Sequence, residues 1–331
     1  MKKLEEMMSL FEREQYLSGA VLITKNKEVL FEKAYGKASI QLDVPNTIDT
    51  KFHIASVTKM FIAAAALKLE EQGLLKLSEQ PGTYIDELQI LHPAMTLQHL
   101  LTHTSGLHDI YSVPNLRFEM KILQVEEGDF LTYLCGQQQL FEPGEKWEYS
   151  STGFILMGYI MEKVTGLSYE ELLDQFFFSP LGMKDTGLDN PNIINPGRAY
   201  GHSFEDGKYI NTDNDKLSEI DAPGELFSTV KDLNKWCEAL TDGSLLSQQS
   251  MQKMFMPYAA ISFNPKLKYG LGWFLGENFR SIGGGTPGFK SEIWHFPEEK
   301  LFVTMLWNYE KVNSFELFEK VNQHLLPTTS S

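Results

Sequence analysis

Apolar and polar residues alternate from Ser18 to Tyr35, a stretch rich in Val, Leu, Ile and Phe that Lys25-Asn26-Lys27 interrupts, and this period of two predicts a β-hairpin. Ahead of it, Met1-Lys2-Lys3-Leu4-Glu5-Glu6-Met7-Met8 reads as the start of an amphipathic helix. The run Met60-Phe61-Ile62-Ala63-Ala64-Ala65-Ala66-Leu67 is apolar on nearly every side, the mark of a buried helix, and Gly73 supplies its stop. Helical patterns follow over Thr96 to His103, Glu126 to Gln139, Ser151 to Val164 and Tyr169 to Phe178, and a loop-rich passage runs from Leu188 to Gly224. After a helix that starts near Ser228, the stretches Tyr269 to Leu275, Phe289 to Phe296 and Leu301 to Trp307 read as strands, with Gly and Pro-Glu-Glu turns between them. An amphipathic helix from Ser314 to Leu325 closes the pattern. Strands near both termini with helices between them predict an α/β protein of the α+β type. One sheet, built from both ends of the chain, carries an inserted and mostly helical lobe. The division falls at 1–58 and 225–331 for the sheet domain and 59–224 for the helical one.

Composition narrows the function. At 331 residues, 42% of them hydrophobic, the chain has enough apolar content to bury a sizeable core and enough length for two subdomains. Lys and Arg number 29 against 44 Asp and Glu, a net charge of −15 without any basic cluster, which argues against nucleic acid and anionic membrane surfaces as partners. A small-molecule substrate fits better. Cys135 and Cys237 are too few and too far apart for a disulfide framework and lack metal-pair spacing, so both read as buried thiols. The N-terminus has acids where a secretory signal would have its apolar core, and nowhere is there an apolar run of the ~18–20 residues that a membrane span needs. As written, the chain is expected to be soluble and cytoplasmic; an exported chain trimmed of its leader would leave the same pattern.

Chemistry enters at Ser56-Val57-Thr58-Lys59, immediately before the buried helix. Residues three apart share a helix face, so a hydroxyl and an amine meet there. A serine needs a neighbouring base to become a nucleophile, and burial favours the uncharged amine that can serve as one. A helix starting at Ser56 would also aim its first backbone N–H groups at an oxygen held over the serine. The bland alternative is a capping serine with a snorkelling lysine. The same S-x-x-K pattern recurs at Ser228-Thr229-Val230-Lys231 and Ser250-Met251-Gln252-Lys253, but neither has an apolar run to desolvate its lysine. Thr229 with Asp232 reads as a variant capping box there.

Three further stretches carry chemistry beside a structural reading. Glu148-Tyr149-Ser150-Ser151-Thr152-Gly153 precedes a helix: Ser150 or Ser151 is a cap, or Tyr149 is a phenol on a loop end able to pass protons. Gly283-Gly284-Gly285-Thr286-Pro287-Gly288 matches G-x-G-x-x-G, yet Pro287 and the strand after it remove the helix that a dinucleotide site needs, leaving a tight turn or a side-chain-free edge on which a ligand lies against backbone. His99 and His103 have the i, i+4 spacing of zinc ligands, with His108 nearby. The glutamate of a zincin motif is absent, since Leu100 stands there, which favours histidines that structure a helix end.

Taken together these pieces resemble the serine β-lactamase and penicillin-binding-protein superfamily, most closely its branch of class C β-lactamases, D-alanyl peptidases and related esterases. The ordered motifs Phe52 to Lys59, Leu100 to Leu107, Trp147 to Gly153, Gly224 to Thr229 and Gly284 to Phe289 carry the resemblance over nearly the whole chain. It implies an antiparallel sheet flanked by helices, a helical lobe, and an active site between them. It also implies Ser56 as the acylated nucleophile, Lys59 as its base, Tyr149 as a proton-relaying phenol, and backbone N–H groups of Ser56 and Gly285 as the oxyanion hole. Two positions depart from the pattern. Ser151 stands where the family has asparagine, removing an amide donor that would recognise substrate amides. Aligned on Gly284, Ile282 stands where a Lys or His is usual, so a substrate carboxylate loses a partner worth ~1.5–3 kcal/mol. The expected function is a serine hydrolase without metal or cofactor, acting on esters, amides or peptides that need no carboxylate. The alternatives are a D-alanyl-D-alanine carboxypeptidase or weak β-lactamase, a non-catalytic binding homologue, and a zinc hydrolase using His99, His103 and His108.

Overall fold

The structure, a computed structural model, describes residues 2–14, 16–112, 131, 136–190, 193–212 and 226–325. The opening helix α1 (Lys2–Glu14) leads into strands β1 (Gly19–Lys25) and β2 (Glu28–Tyr35). Asn26 and Lys27, both at positive φ, make the tight turn between these strands, as a two-residue hairpin loop requires. From the other end of the chain come β3 (Ala259–Ile261), β4 (Asn264–Tyr269), β5 (Phe274–Leu275), β6 (Arg280–Thr286), β7 (Phe289–Phe296) and β8 (Leu301–Trp307). They join the hairpin in one eight-stranded sheet of order β3-β4-β5-β6-β7-β8-β1-β2, every neighbouring pair antiparallel.

β1 and β8 sit side by side and are buried on both faces, which explains their near-continuous apolar sequences. Val21, Ile23, Val303, Met305 and Trp307 face a core closed by Leu4, Met8 and Phe11 of α1 and by Leu317, Phe318 and Val321 of the last helix, Ser314–Leu325. Ala20, Leu22, Phe302 and Leu306 face the larger core on the opposite side. There lie α2 (Lys59–Glu71), α3 (Leu97–Leu101), α4 (Ser151–Thr165), α5 (Tyr169–Leu173) and α6 (Val230–Asp242). Among the described residues, no helix is long and apolar enough to cross a membrane.

Several expectations need correction. The strand expected over Tyr269 to Leu275 is two strands, because Gly270-Leu271-Gly272-Trp273 turns between them; Gly272 is left-handed and packs so tightly that a Cβ there would lie 2.9 Å from the carbonyl oxygen of Lys59. The α-helix does not start at Ser56: residues Ala55–Thr58 form a 3-10 turn, and α2 begins at Lys59. Its end fits the pattern, with Gly73 left-handed just beyond it. α3 stops at Leu101, so His99 and His103 do not share a helix face; His103 is a left-handed residue outside the helix. The helix from Tyr169 passes after Leu173 into a π-turn, Asp174–Phe178. The loop-rich passage contains a hairpin, His202–Glu205 with Lys208–Asn211. The helix expected over Glu126 to Gln139 falls mostly outside the described residues, as does Cys135. Cys237 is fully buried, and its burial pushes the thiol pKa far up.

Candidate active site

The turn carrying Ser56 is held in a conformation that its sequence alone would not favour. Ala55 adopts φ +46°, a left-handed region that costs a residue with a Cβ on the order of 1 kcal/mol, and its N–H donates to His53 Nδ1 at 3.2 Å. Ile54 is anchored on both sides. Its N–H donates to the Leu226 carbonyl (2.9 Å), and its own carbonyl accepts from the buried Ser291 hydroxyl on β7 (2.6 Å). From β6, Gly284 fits against the same turn: a Cβ there would lie 2.7 Å from Ser56 N and 2.5 Å from the Ile54 oxygen. Only glycine lets the strand approach this closely.

Lys59, on the first turn of α2, is buried at 6% exposure. Its Nζ donates to Ser56 Oγ at 3.0 Å and to Ser151 Oγ at 3.4 Å, and lies 5.1 Å and 5.5 Å from the ring centres of Tyr149 and Phe154. Among the described residues no carboxylate lies within ion-pair distance of it. In the other two S-x-x-K segments the lysine turns to a carboxylate, Lys231 to Asp49 and Lys253 to Glu70, each at 2.7 Å. Thr229 caps α6 by accepting from Asp232 N, while the Asp232 carboxylate serves Asp185 N and Thr186.

Tyr149 approaches from the loop before α4, its Oη 2.7 Å from Ser56 Oγ. Ser150 occupies the N-cap position of α4 without a capping bond; its hydroxyl donates to the His108 carbonyl instead. The first turn is served by Asp109, whose carboxylate accepts from Ser151 N at 3.2 Å, a favourable place for an anion beside a helix N-terminus. Ser151 is buried, its hydroxyl toward Lys59.

Among the described residues, no strand pairs with the outer edge of β6 beyond Ser281, because β5 covers only Arg280 and Ser281. Gly283 and Gly285 are exposed, and a Cβ on Gly285 would meet nothing within 4 Å. Ile282 is 3% exposed and packs in the larger core, so this position offers no charge.

His99 bonds Thr96 through Nδ1. His103 is enclosed: Nδ1 faces the backbone of Ser150 and Nε2 faces Tyr269 Oη. Among the described residues no group of three His, Cys, Asp or Glu side chains is placed to hold a metal ion. Burial, followed by the charge of Lys59, holds the His103 pKa well below the usual imidazole range, so the ring is neutral. Burial pushes the Tyr269 phenol well up. The structure thus brings Ser56, Lys59, Tyr149, Ser151 and Gly284 into one cluster, with Gly285 on the adjoining open edge and Ile282 turned into the core. Sequence reasoning overlooked Asp109, Ser291 and Tyr269, which act on the site through backbone or buried contacts. Only Asp109 had a local signal, its place two residues beyond a quoted motif.

Proteins of similar sequence and fold identify the family of this chain. PbpX of Bacillus subtilis (strain 168), which carries a penicillin-binding-protein name, is 29% identical over 297 residues, 87% of this chain and 72% of its own. The crystal structure of a penicillin binding protein from Bacillus halodurans superposes with a TM-score of 0.85 at 26% identity, covering 97% of this chain and 98% of that one. The D-amino acid amidase of Ochrobactrum anthropi SV3, solved with L-phenylalanine amide, gives a TM-score of 0.77 at 25% identity over 92% of this chain and 90% of its own. The Beta-lactamase family model spans residues 3–326, so an antiparallel sheet flanked by helices and a half-buried S-x-x-K serine sit in a chain that belongs to the Beta-lactamase family.

Proposed function

We propose that this protein is a serine hydrolase that forms an acyl-enzyme on Ser56. The observation that carries the reading is the convergence of Lys59 Nζ (3.0 Å) and Tyr149 Oη (2.7 Å) on one half-buried hydroxyl. Ser56 Oγ attacks the carbonyl carbon and its proton passes to the Tyr149–Lys59 pair. The oxyanion rests on the N–H groups of Ser56 and Gly285, which need no reorganisation when charge develops. The bond to the leaving group then breaks, and that group takes the proton. Water enters in its place, gives a proton to the same pair and attacks the acyl carbon; the bond from that carbon to Ser56 Oγ breaks, Ser56 takes the proton back from the pair, and the acid leaves. The cleft lies where the sheet domain, 1–58 and 225–331, meets the helical domain, 59–224, placing Ser56 and Lys59 on either side of the boundary.

The substrate class follows from two side chains. Ile282 is aliphatic where a carboxylate would need a cation, and Ser151 holds Lys59 where an amide side chain would reach the substrate. The reading is therefore of esters or amides without an obligatory carboxylate, in keeping with the amidase named among its structural relatives. Fluorophosphonate labelling followed by peptide mapping tests it: adduct on Ser56, with no adduct and no turnover of p-nitrophenyl esters in Ser56→Ala, is expected. Adduct elsewhere, or hydrolysis intact in Ser56→Ala, would overturn it. The penicillin-binding names of the relatives favour a second reading, a D-alanyl carboxypeptidase or weak β-lactamase. Rapid hydrolysis of a chromogenic cephalosporin would select it over the first.

A further inference from the structure

We propose that His103 is a positioning residue that sets the Tyr149 phenol against Ser56. The inference rests on the reading of Ser56, Lys59 and Tyr149 given above. His103 grips the chain on both sides of Tyr149: its carbonyl accepts from Glu148 N at 2.9 Å, and its Nδ1 lies 3.0 Å from the Ser150 carbonyl and 3.2 Å from Ser150 N. Its ring lies against the Tyr149 ring, centroids 4.4 Å apart, and so backs the phenol from behind. On the far side, Nε2 meets the fully buried Tyr269 hydroxyl at 3.0 Å. Phe154 and Trp147 close the remaining faces, at 5.1 and 5.8 Å.

Both ring nitrogens are engaged in either neutral tautomer. With the proton on Nδ1, His103 donates to the Ser150 carbonyl and accepts from Tyr269; with the proton on Nε2, it donates to Tyr269 and accepts from Ser150 N. The 1% exposure of His103 leaves no room for water to replace a lost bond. A left-handed φ of +56° aims the residue at this loop. His103 reaches neither Ser56 nor Lys59 by any hydrogen bond in the structure, so its effect on chemistry passes through Tyr149.

The test is hydrolysis of p-nitrophenyl acetate by His103→Phe, His103→Gln, Tyr269→Phe and Tyr149→Phe, with rates expressed per active site titrated by fluorophosphonate. His103→Phe keeps a ring but no bond to Ser150; we expect kcat to fall about 100-fold with KM within about threefold of wild type, the mark of a misplaced reacting group. His103→Gln, whose amide restores a donor and an acceptor, recovers at least about tenfold of that loss. Tyr269→Phe lowers kcat about threefold to tenfold by freeing the outer nitrogen, and decides the question with His103→Gln should His103→Phe not fold. A wild-type kcat in His103→Phe or Tyr269→Phe, equal loss in the Phe and Gln variants, or a loss carried by KM would overturn the proposal. Wild-type turnover in Tyr149→Phe would overturn the underlying catalytic reading instead. A crippled Tyr149→Phe beside an unaffected His103→Phe would sink the positioning role alone.

Discussion

At the residue scale, the cluster around Ser56 is as much a matter of missing side chains as of present ones. Gly284 lies against the turn that carries Ser56, and a methyl group there would sit 2.5–2.7 Å from Ile54 O, Ser291 Oγ and Ser56 N, all of which belong to the turn or to its anchor. Gly284→Ala should therefore push Ser56 away from Tyr149 and Lys59, lowering kcat/KM for an ester by about 100-fold while the protein stays folded. Gly285→Ala, where a Cβ meets nothing within 4 Å, should keep activity within about fivefold. Parallel steady-state assays check the pair, and equal effects at both glycines would contradict the geometry. The Ser56 and Lys59 pair is legible in the chain because three-residue spacing and the apolar run after it are local. Tyr149 is 93 positions from Ser56, and no local pattern states that their hydroxyls meet. The histidine beneath that phenol is still less legible: the sequence marks His103 as a residue with zinc-ligand spacing or one ending a helix, and its partners Ser150 and Tyr269 are joined to it by the fold alone.

At the element scale, the short turn Ala55–Thr58 is not self-supporting and borrows its shape from neighbours. The clearest loan is the Ser291 hydroxyl on β7, fully buried and 2.6 Å from the Ile54 carbonyl. Removing it leaves the Ile54 carbonyl with the Val57 N–H (3.1 Å) as its partner, so one of two buried hydrogen bonds is lost, at a cost of about 0.5–1.5 kcal/mol. Ser291→Ala should thus lower stability by that amount in urea titration and, on the proposed role of Ser56, lower kcat as well, since the Ser56 turn loosens with it. A variant as stable as wild type would show that water or a neighbour replaces the bond. Thr229→Ala is the control of comparable size: it removes the cap on α6 and should cost about 1 kcal/mol with kcat unchanged. Long periodic elements such as β7, β8 and α4 are readable because their patterns repeat; the 3-10 turn, the π-turn and the Gly270–Trp273 break are set by tertiary contacts too short to leave a period.

At the scale of the whole molecule, the antiparallel sheet from both termini follows from apolar patterning, but the fold also buries imidazoles, and no pattern states their burial. His295 on β7 is 2% exposed and stacks on Phe302, 4.2 Å between ring centres, and neither of its nitrogens has a hydrogen-bond partner. Burial, then the charge of Arg280 in the facing register position, brings its pKa down to about 3. His99, His103 and His202 are lowered as well, each chiefly by burial. All four are neutral when folded at neutral pH, while in the unfolded chain each takes up a proton near pH 6.5. The unfolded state then binds more protons than the native state, so stability is fully present above about pH 6.5 and falls as pH drops from there toward about 3. Urea midpoints should decline steadily from pH 7.5 to pH 5, before most carboxylates titrate. His295→Phe keeps the stacking ring and removes two unpaired nitrogens, so it should raise stability at pH 7 by about 1–3 kcal/mol and flatten the acid slope. A midpoint independent of pH over that range, or a His295→Phe variant with the wild-type slope, would show that this histidine is hydrated and charged in the folded protein.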